Sequence, residues 1–438
     1  MSTEAIVLLS GPVAFLVSWL VQPHFRSLGF LTGIVDLPGY RRTHREPVPR
    51  TGGMAIFISF FATLYILDYL VLHDPLPWSW LGVLGGSGLA ILALGVGDDR
   101  FHIHAEKKLY GQFVVIISLM LFGQRLDTVV LPLIGAVEMG GWAWPVTMLW
   151  YLGFINSMNL IDGLDGLASG IGVLASLALV AIAIVVGDFY SVLFASTLGG
   201  ATLAFMYWNV SRRKIFLGDS GSMWMGLVLG GLILHLGQRN GISLLMLLAP
   251  MVVPIWDTGT TIVRRYRKRS SIFEADDFHL HHRLVRVGFQ PGSAVRFLLL
   301  ITAGSILFAL SDFVGAPWLG LPAMATWMCA IHTWARHRQR STVSRLDFFS
   351  EMLFVLGIDD QGDAGSMFRE HQVAEIIDIQ AERDRVEEAM AAVAGGSSAA
   401  KVISHPGRSV LPRDSERAYA GSGEPDDVVL SSAKDFSD

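Results

Sequence analysis

The chain has 438 residues, of which 52% are hydrophobic and 16% charged, and its mean hydropathy is +0.48. Soluble domains carry about 25% charged residues, so this composition excludes an ordinary soluble globular protein and indicates a membrane protein. The net charge of −5 says little by itself, and the single cysteine, Cys329, excludes a disulfide framework and a cysteine-based metal site.

Apolar runs fall near 3–22, 53–72, 80–97, 109–124, 143–158, 167–186, 190–208, 221–236, 242–262, 294–311 and 316–335. They predict an all-α polytopic membrane protein with about 11 transmembrane helices, although several are shorter than the ~20 residues of a full span. The first run lacks a basic leader region and a small-residue cleavage site, so it reads as a retained helix. With the N-terminus outside, loops 23–52, 98–108, 159–166, 209–220 and 263–293 lie inside and hold 18 Lys and Arg; the outer loops hold only Arg125 and Arg239. That asymmetry sets the orientation by the positive-inside rule, with the C-terminus cytoplasmic.

The first inner loop runs from Asp36 through Arg41, Arg42, Thr43 and His44 to Pro47, Pro49, Arg50, Gly52 and Gly53. Its prolines stiffen it, and its arginines, taken alone, read as juxtamembrane anchors. The third run ends in Gly97-Asp98-Asp99-Arg100, with Lys108 nine residues beyond Asp99. Adjacent carboxylates repel, so they either attract a divalent cation or raise one proton affinity; a solvated helix end is the equally simple reading.

Between the fifth and sixth runs lies Asn156-Ser-Met-Asn-Leu-Ile-Asp-Gly-Leu-Asp-Gly-Leu-Ala-Ser-Gly170. Asn156, Asn159, Asp162 and Asp165 recur every three residues, which gathers two amides and two carboxylates near one face of a helix or the loop leaving it. Asn and Asp also serve as ordinary helix caps. Four of them at constant spacing beside a bilayer, with glycines between, favour a functional site.

The fourth inner loop contains Phe216-Leu-Gly-Asp219-Ser-Gly-Ser, a carboxylate in a backbone-accessible turn opening a helix. Mg²⁺ characteristically takes one or two protein carboxylates and fills its shell with water and phosphate oxygens, which suits Asp219. The fifth inner loop carries Asp257, Thr258, Arg264, Arg265 and then His279-Leu-His281-His282-Arg283. A His-x-His pair can chelate zinc, but with no cysteine nearby and arginines alongside, an anionic partner fits better. Carboxylates with Mg²⁺ and a wall of arginine and histidine would bind a diphosphate. All these groups lie on the cytoplasmic face, unlike a transporter's midplane site.

On five motifs in order, the chain resembles the polyprenyl-phosphate N-acetylhexosamine-1-phosphate transferases of glycosyltransferase family 4. These are Arg-Thr-His44 with Pro47 to Gly53, Gly-Asp98-Asp99 with Lys108, Asn156 to Ala168, Phe216 to Ser222, and His279 to Arg283. The resemblance runs from about residue 36 to 290, and the His-Leu-His-His form is similar to the hexosamine branch, whereas the lipid I enzyme tends to carry three consecutive histidines. It implies transfer of N-acetylglucosamine-1-phosphate from UDP-GlcNAc to undecaprenyl phosphate with release of UMP, the first step of a cell-surface polysaccharide. Another UDP-N-acetylhexosamine or a lipid I-type substrate is the alternative.

By the same resemblance Asp98, Asp99, Asp162 and Asp165 are catalytic. His44, Lys108, Asn156, Asn159, Arg264, Arg265, His279, His281, His282 and Arg283 bind substrate. Asp219 with Asn159 holds Mg²⁺, for which Mn²⁺ can substitute. The expected setting is the bacterial inner membrane, with UDP-sugar, polyprenyl phosphate and a second copy of the chain as partners and no nucleic acid. Two positions depart from the family: Phe278 stands where an acidic residue is common, and Glu106 where a basic one is. Residues 1–340 form the expected transferase domain, and 341–438 a cytoplasmic tail, partly helical and then disordered. A CDP-alcohol phosphatidyltransferase would need an arginine after its Asp-Gly, and none follows Asp165-Gly166-Leu-Ala-Ser.

Overall fold

A computed structural model describes residues 3–37, 46–70, 76–131, 134–211, 214–269, 279–286 and 289–313. His44, Phe278, Cys329, the apolar run 316–335 and the tail 341–438 lie outside the described residues. Among the described residues the helices are α1 (Thr3–Thr32), α2 (Gly52–Leu70), α3 (Trp78–Phe101), α4 (Ala105–Leu121), α5 (Ala143–Ile161), α6 (Leu167–Val186), α7 (Phe189–Val210), α8 (Gly218–Asn240), α9 (Leu244–Leu247), α10 (Val252–Lys268), α11 (Leu280–Arg286) and α12 (Pro291–Phe313). Two antiparallel hairpins depart from the all-helical expectation. One pairs β1 (Val35–Asp36) with β2 (Val48–Pro49), and the other pairs β3 (Thr128–Leu131) with β4 (Gly135–Glu138).

Among the described residues, six helices are long and apolar enough to cross a membrane, within α2, α3, α6, α7, α8 and α12. The protein is thus a multi-pass helical membrane protein. Helix ends overrun the apolar runs: α1 continues to Thr32 and α10 to Lys268. Hydropathy marks the bilayer, whereas the backbone hydrogen-bond ladder continues into the polar interface.

The run at 242–262 is not one helix. It divides into α9, a 3-10 turn at Ala249–Met251 and α10. Pro250 is the physical cause, because it has no N–H to donate and its ring crowds the preceding turn.

α8 is the central helix. Its span is 94% buried, against 39% for that of α3, and it packs against α2, α3, α5, α6 and α7. A helix surrounded by neighbours must be small or apolar on every side. Near its start the approach is close: a Cβ on Gly53 of α2 would lie 2.0 Å from the Cα of Gly221, and one on Gly95 of α3 would lie 2.3 Å from the Cα of Ser220. These glycines let α2 and α3 clamp the end of α8 that carries Asp219.

Candidate active site

Gly218, the first residue of α8, has φ +72°, and a Cβ there would meet Asp99 Oδ2 at 2.6 Å. Glycine therefore serves both the left-handed turn and the contact. Asp99 uses both oxygens on the exposed helix end: Oδ1 accepts from the Asp219 backbone N–H at 3.0 Å and Oδ2 from that of Ser220 at 3.1 Å. An aspartate on another helix thus performs the work of an N-cap. Behind it, Arg50 Nη1 lies 3.7 Å from Asp99 Oδ1 while Arg50 also pairs with Asp36 across the β1–β2 hairpin. Backbone bonds from Gly52 to Phe216, from Gly53 to Leu217 and from Phe216 to Pro49 tie this hairpin to the approach to α8.

Asp98 points elsewhere. Its Oδ1 accepts from the Ile103 N–H at 2.7 Å, bracing the turn into α4, and its Oδ2 accepts from Lys108 Nζ at 2.8 Å. The same ammonium donates to Asn159 Oδ1 at 3.2 Å and to Asp219 Oδ2. Asn159 is held in place by its own Nδ2, which donates to Ser222 Oγ at 3.0 Å. Ends of α3, α4, α5 and α8 thus aim three oxygens at one cationic point. The side chains of Asp219 and Asp98 keep 28% and 14% exposure, whereas Asp99 has none. A ligand can reach the first two carboxylates and not the third.

One turn deeper, Asn156 Nδ2 donates to Gln112 Oε1 at 2.8 Å and Gln112 Nε2 returns a bond of 3.3 Å. This reciprocal amide pair joins α4 to α5 and satisfies both side chains. Gln112 was not anticipated, yet it stands four residues after Lys108 in an apolar run, and that spacing was the available signal.

The loop from α5 to α6 holds Asp162 and Asp165. Burial first, then the negative charges of Asp219, Asp99 and Asp165, push the half-buried Asp162 carboxyl well above the ordinary carboxylate range; Arg50 opposes this. Asp165 pairs with Lys214 of the loop between α7 and α8, a partner the sequence did not suggest. Gly166, at φ +82°, donates its N–H to Asn209 Oδ1 at 2.6 Å, and Asn209 Nδ2 donates to the Ile215 carbonyl at 3.0 Å. Asn209 therefore staples the two loops together.

His281 lies against this loop: a Cβ on Gly163 would stand 2.0 Å from His281 Nε2. It is buried, and neither ring nitrogen has a hydrogen-bond partner among the described residues. Burial first, then His282 and His279, hold it well below the usual histidine range, so the imidazole is neutral. The His281 and His282 ring centroids are 4.2 Å apart. His279 meets Asp257 of α10, and Arg264 and Arg283 are both buried, with Arg264 Nη2 donating to Thr261 Oγ1 at 3.2 Å. Arg265 is half-buried on the same last turn of α10.

The predicted residues therefore fall into two connected groups: Asp98, Asp99, Lys108, Asn159 and Asp219 in one, and Asp162, Asp165 and the histidines in the other. Asn156 is turned to Gln112. Among the described residues no three His, Cys, Asp or Glu side chains cluster as a metal cage. Mg²⁺ requires no such cage, and the oxygens of Asp219 and Asn159, engaged here by the Lys108 ammonium, are the hard donors it prefers. The donor set fits that ion.

Fold and site together define a multi-pass membrane protein with an acidic, lysine-bearing centre at one end of its helix bundle. Residues 80–237 match the model of glycosyl transferase family 4. The chain is 32% identical over 320 residues, covering 70% of itself and 87% of the relative, to a Bacillus subtilis protein named probable undecaprenyl-phosphate N-acetylglucosaminyl 1-phosphate transferase. It is 31% identical over 338 residues, 70% of itself and 82% of the relative, to the decaprenyl-phosphate N-acetylglucosaminephosphotransferase of Mycolicibacterium smegmatis. With the undecaprenyl-phosphate alpha-N-acetylglucosaminyl 1-phosphate transferase of Escherichia coli K12 it shares 29% over 304 residues, 68% of itself and 80% of the relative. The chain belongs to this family, the polyprenyl-phosphate N-acetylhexosamine-1-phosphate transferases.

Proposed function

We propose that the protein transfers N-acetylglucosamine-1-phosphate from UDP-GlcNAc to undecaprenyl phosphate. A phosphate oxygen of the lipid bonds to the phosphorus bearing the sugar, the bond from that phosphorus to the bridging oxygen breaks, and UMP leaves with that oxygen. The observation that carries this reading is the convergence of Asp98, Asn159 and Asp219 on Lys108 Nζ. Such a centre can hold two phosphates together and neutralise charge moving between them.

In this reading Lys108 meets the phosphate, and Asp98, with its partial exposure, orients or deprotonates the lipid phosphate. Asp99 anchors α8. Asp219 and Asn159 would hold Mg²⁺ or Mn²⁺, whose chemistry is to offset phosphoryl charge. Asp162 and Asp165 form the nucleotide wall, with Asn156 in support. His279, His281, His282, Arg264, Arg265 and Arg283 line the sugar-nucleotide side, with His44 contributed from the first inner loop.

Eleven spans, with the N-terminus outside, the motifs at the cytoplasmic face of a bacterial inner membrane and the tail inside, complete the proposal. The Lys and Arg distribution supports it. Cysteines placed at 98–108 or 209–220 should resist an impermeant reagent on intact cells while those at 125–142 react. Reaction at 98–108 or 209–220 on intact cells would discard the orientation.

The reaction itself is tested by UMP release from purified protein given undecaprenyl phosphate and a panel of UDP-sugars. UDP-GlcNAc should serve as donor. Turnover only with UDP-GalNAc, a deoxy sugar or a lipid I-type donor would replace the sugar, and UMP release with none would refute the reading.

A further inference from the structure

α10 is amphipathic in an inverted sense. Its buried positions include Asp257, Thr261 and Arg264, spaced four and three apart on one face, while Ile255, Trp256, Ile262, Val263 and Tyr266 are exposed. A helix that turns apolar side chains outward and ionisable ones inward lies against lipid and lines a polar interior. Both oxygens of Asp257 are engaged by the start of α11 and the residue before it. Oδ1 accepts from the Leu280 backbone N–H at 2.7 Å, and Oδ2 lies 3.1 Å from His279 Nδ1. Both Asp257 and His279 are buried.

An ionised carboxylate only accepts hydrogen bonds, so the ring nitrogen facing it must carry the proton. The His279 and His281 rings are parallel within 3°, with centroids 6.0 Å apart, and His281 rests on Gly163 beside Asp162. His279 thus stands in line with the ring that packs on the acidic loop.

We propose that Asp257 is a positioning residue: it locks His279 as the Nδ1–H tautomer and pins the first turn of α11 to α10, leaving His279 Nε2 for the donor substrate. This rests on the reading above that the histidines meet the sugar nucleotide. Asp257→Asn isolates the tautomer. Its carbonyl can still accept from Leu280, but its amide would donate to Nδ1 and drive the ring proton to Nε2. Asp257→Glu keeps the carboxylate.

The experiment uses the full-length protein with ¹⁵N-labelled histidine, His279 being assigned by the signal lost in His279→Gln. Wild type and Asp257→Glu should show Nδ1–H, and Asp257→Asn should show Nε2–H. The KM for UDP-GlcNAc should rise about tenfold or more in Asp257→Asn, the scale at which outer partners of functional histidines act, with the KM for undecaprenyl phosphate unchanged. In a His279→Ala background Asp257→Asn should cost nothing further. An Nε2–H proton in the wild type, or an equal loss in the His279→Ala background, would overturn the proposal. If the wild type releases no UMP from any UDP-sugar, the donor reading falls, and the nitrogen signals alone then decide the role of Asp257.

Discussion

Removing the Asp99 carboxylate should loosen α8 before it touches the chemistry. In Asp99→Ala, the Asp219 and Ser220 N–H groups lose acceptors at 3.0 and 3.1 Å in a buried setting. Arg50 loses its Asp99 neighbour and keeps Asp36. Loss of a cap costs about 0.5–2 kcal/mol, and a hydrogen bond to a charged group contributes about 1.5–3 kcal/mol. Because the two bonds share one carboxylate and are not additive, the expected loss is about 2–4 kcal/mol. Asp99→Asn retains one accepting oxygen and should lose roughly half of that.

The assay is thermal unfolding in detergent alongside UMP release. Asp99→Ala should melt lower than Asp98→Ala, and Asp99→Asn should lie between Asp99→Ala and wild type. The activity of Asp99→Asn should be recovered in part on cooling, since Asp219 is then held in place for more of the time. An Asp99→Ala protein as heat-stable as wild type but inactive would refute the reasoning and return Asp99 to direct contact with substrate.

Asp219→Asn should abolish turnover, since losing a metal ligand removes several kcal/mol of transition-state stabilisation. Activity stripped by EDTA should return with Mg²⁺ or Mn²⁺, and full activity in EDTA would contradict the assignment. Gly163→Ala would place a Cβ 2.0 Å from His281 Nε2; displacing the buried ring should weaken UDP-sugar binding and spare the lipid substrate, as separate KM values would reveal. His281 is held below the usual histidine range, so on acidification the unfolded chain takes up a proton near its ordinary value of about 6.5 that the folded chain refuses. Its stabilising contribution is present above that pH and is lost as pH falls toward the folded value. Wild type should therefore lose more thermal stability than His281→Gln between about pH 7.5 and 5.5, and parallel losses would argue against a neutral buried ring.

The membrane class, the helical runs and the order of the chemical motifs were determined by the sequence itself. Composition and hydropathy act locally, and the constant spacing marks Asn156, Asn159, Asp162 and Asp165 as a group, although packing then turns Asn156 to Gln112, Asn159 to Lys108 and Asp165 to Lys214. What spacing along one helix cannot express is the group arriving from another. Asp98 and Asp99 are adjacent and look equivalent on paper, but successive residues on a helix point about 100° apart. Tertiary packing therefore sends Asp98 to Lys108 and Asp99 to the end of α8. Lys214 and Asn209 carry no signal of this kind, Gln112 carries only its spacing from Lys108, and Asp257 is visible in the sequence without its partner, since each is defined by a partner between 23 and 49 residues away. Even the break at Pro250 needed the fold: proline marks a place where a helix can end, and packing against neighbouring helices decides whether it kinks there or divides. The identity of the chemical groups is a property of the chain, and their convergence on one ammonium is a property of how α3, α4, α5 and α8 pack around it.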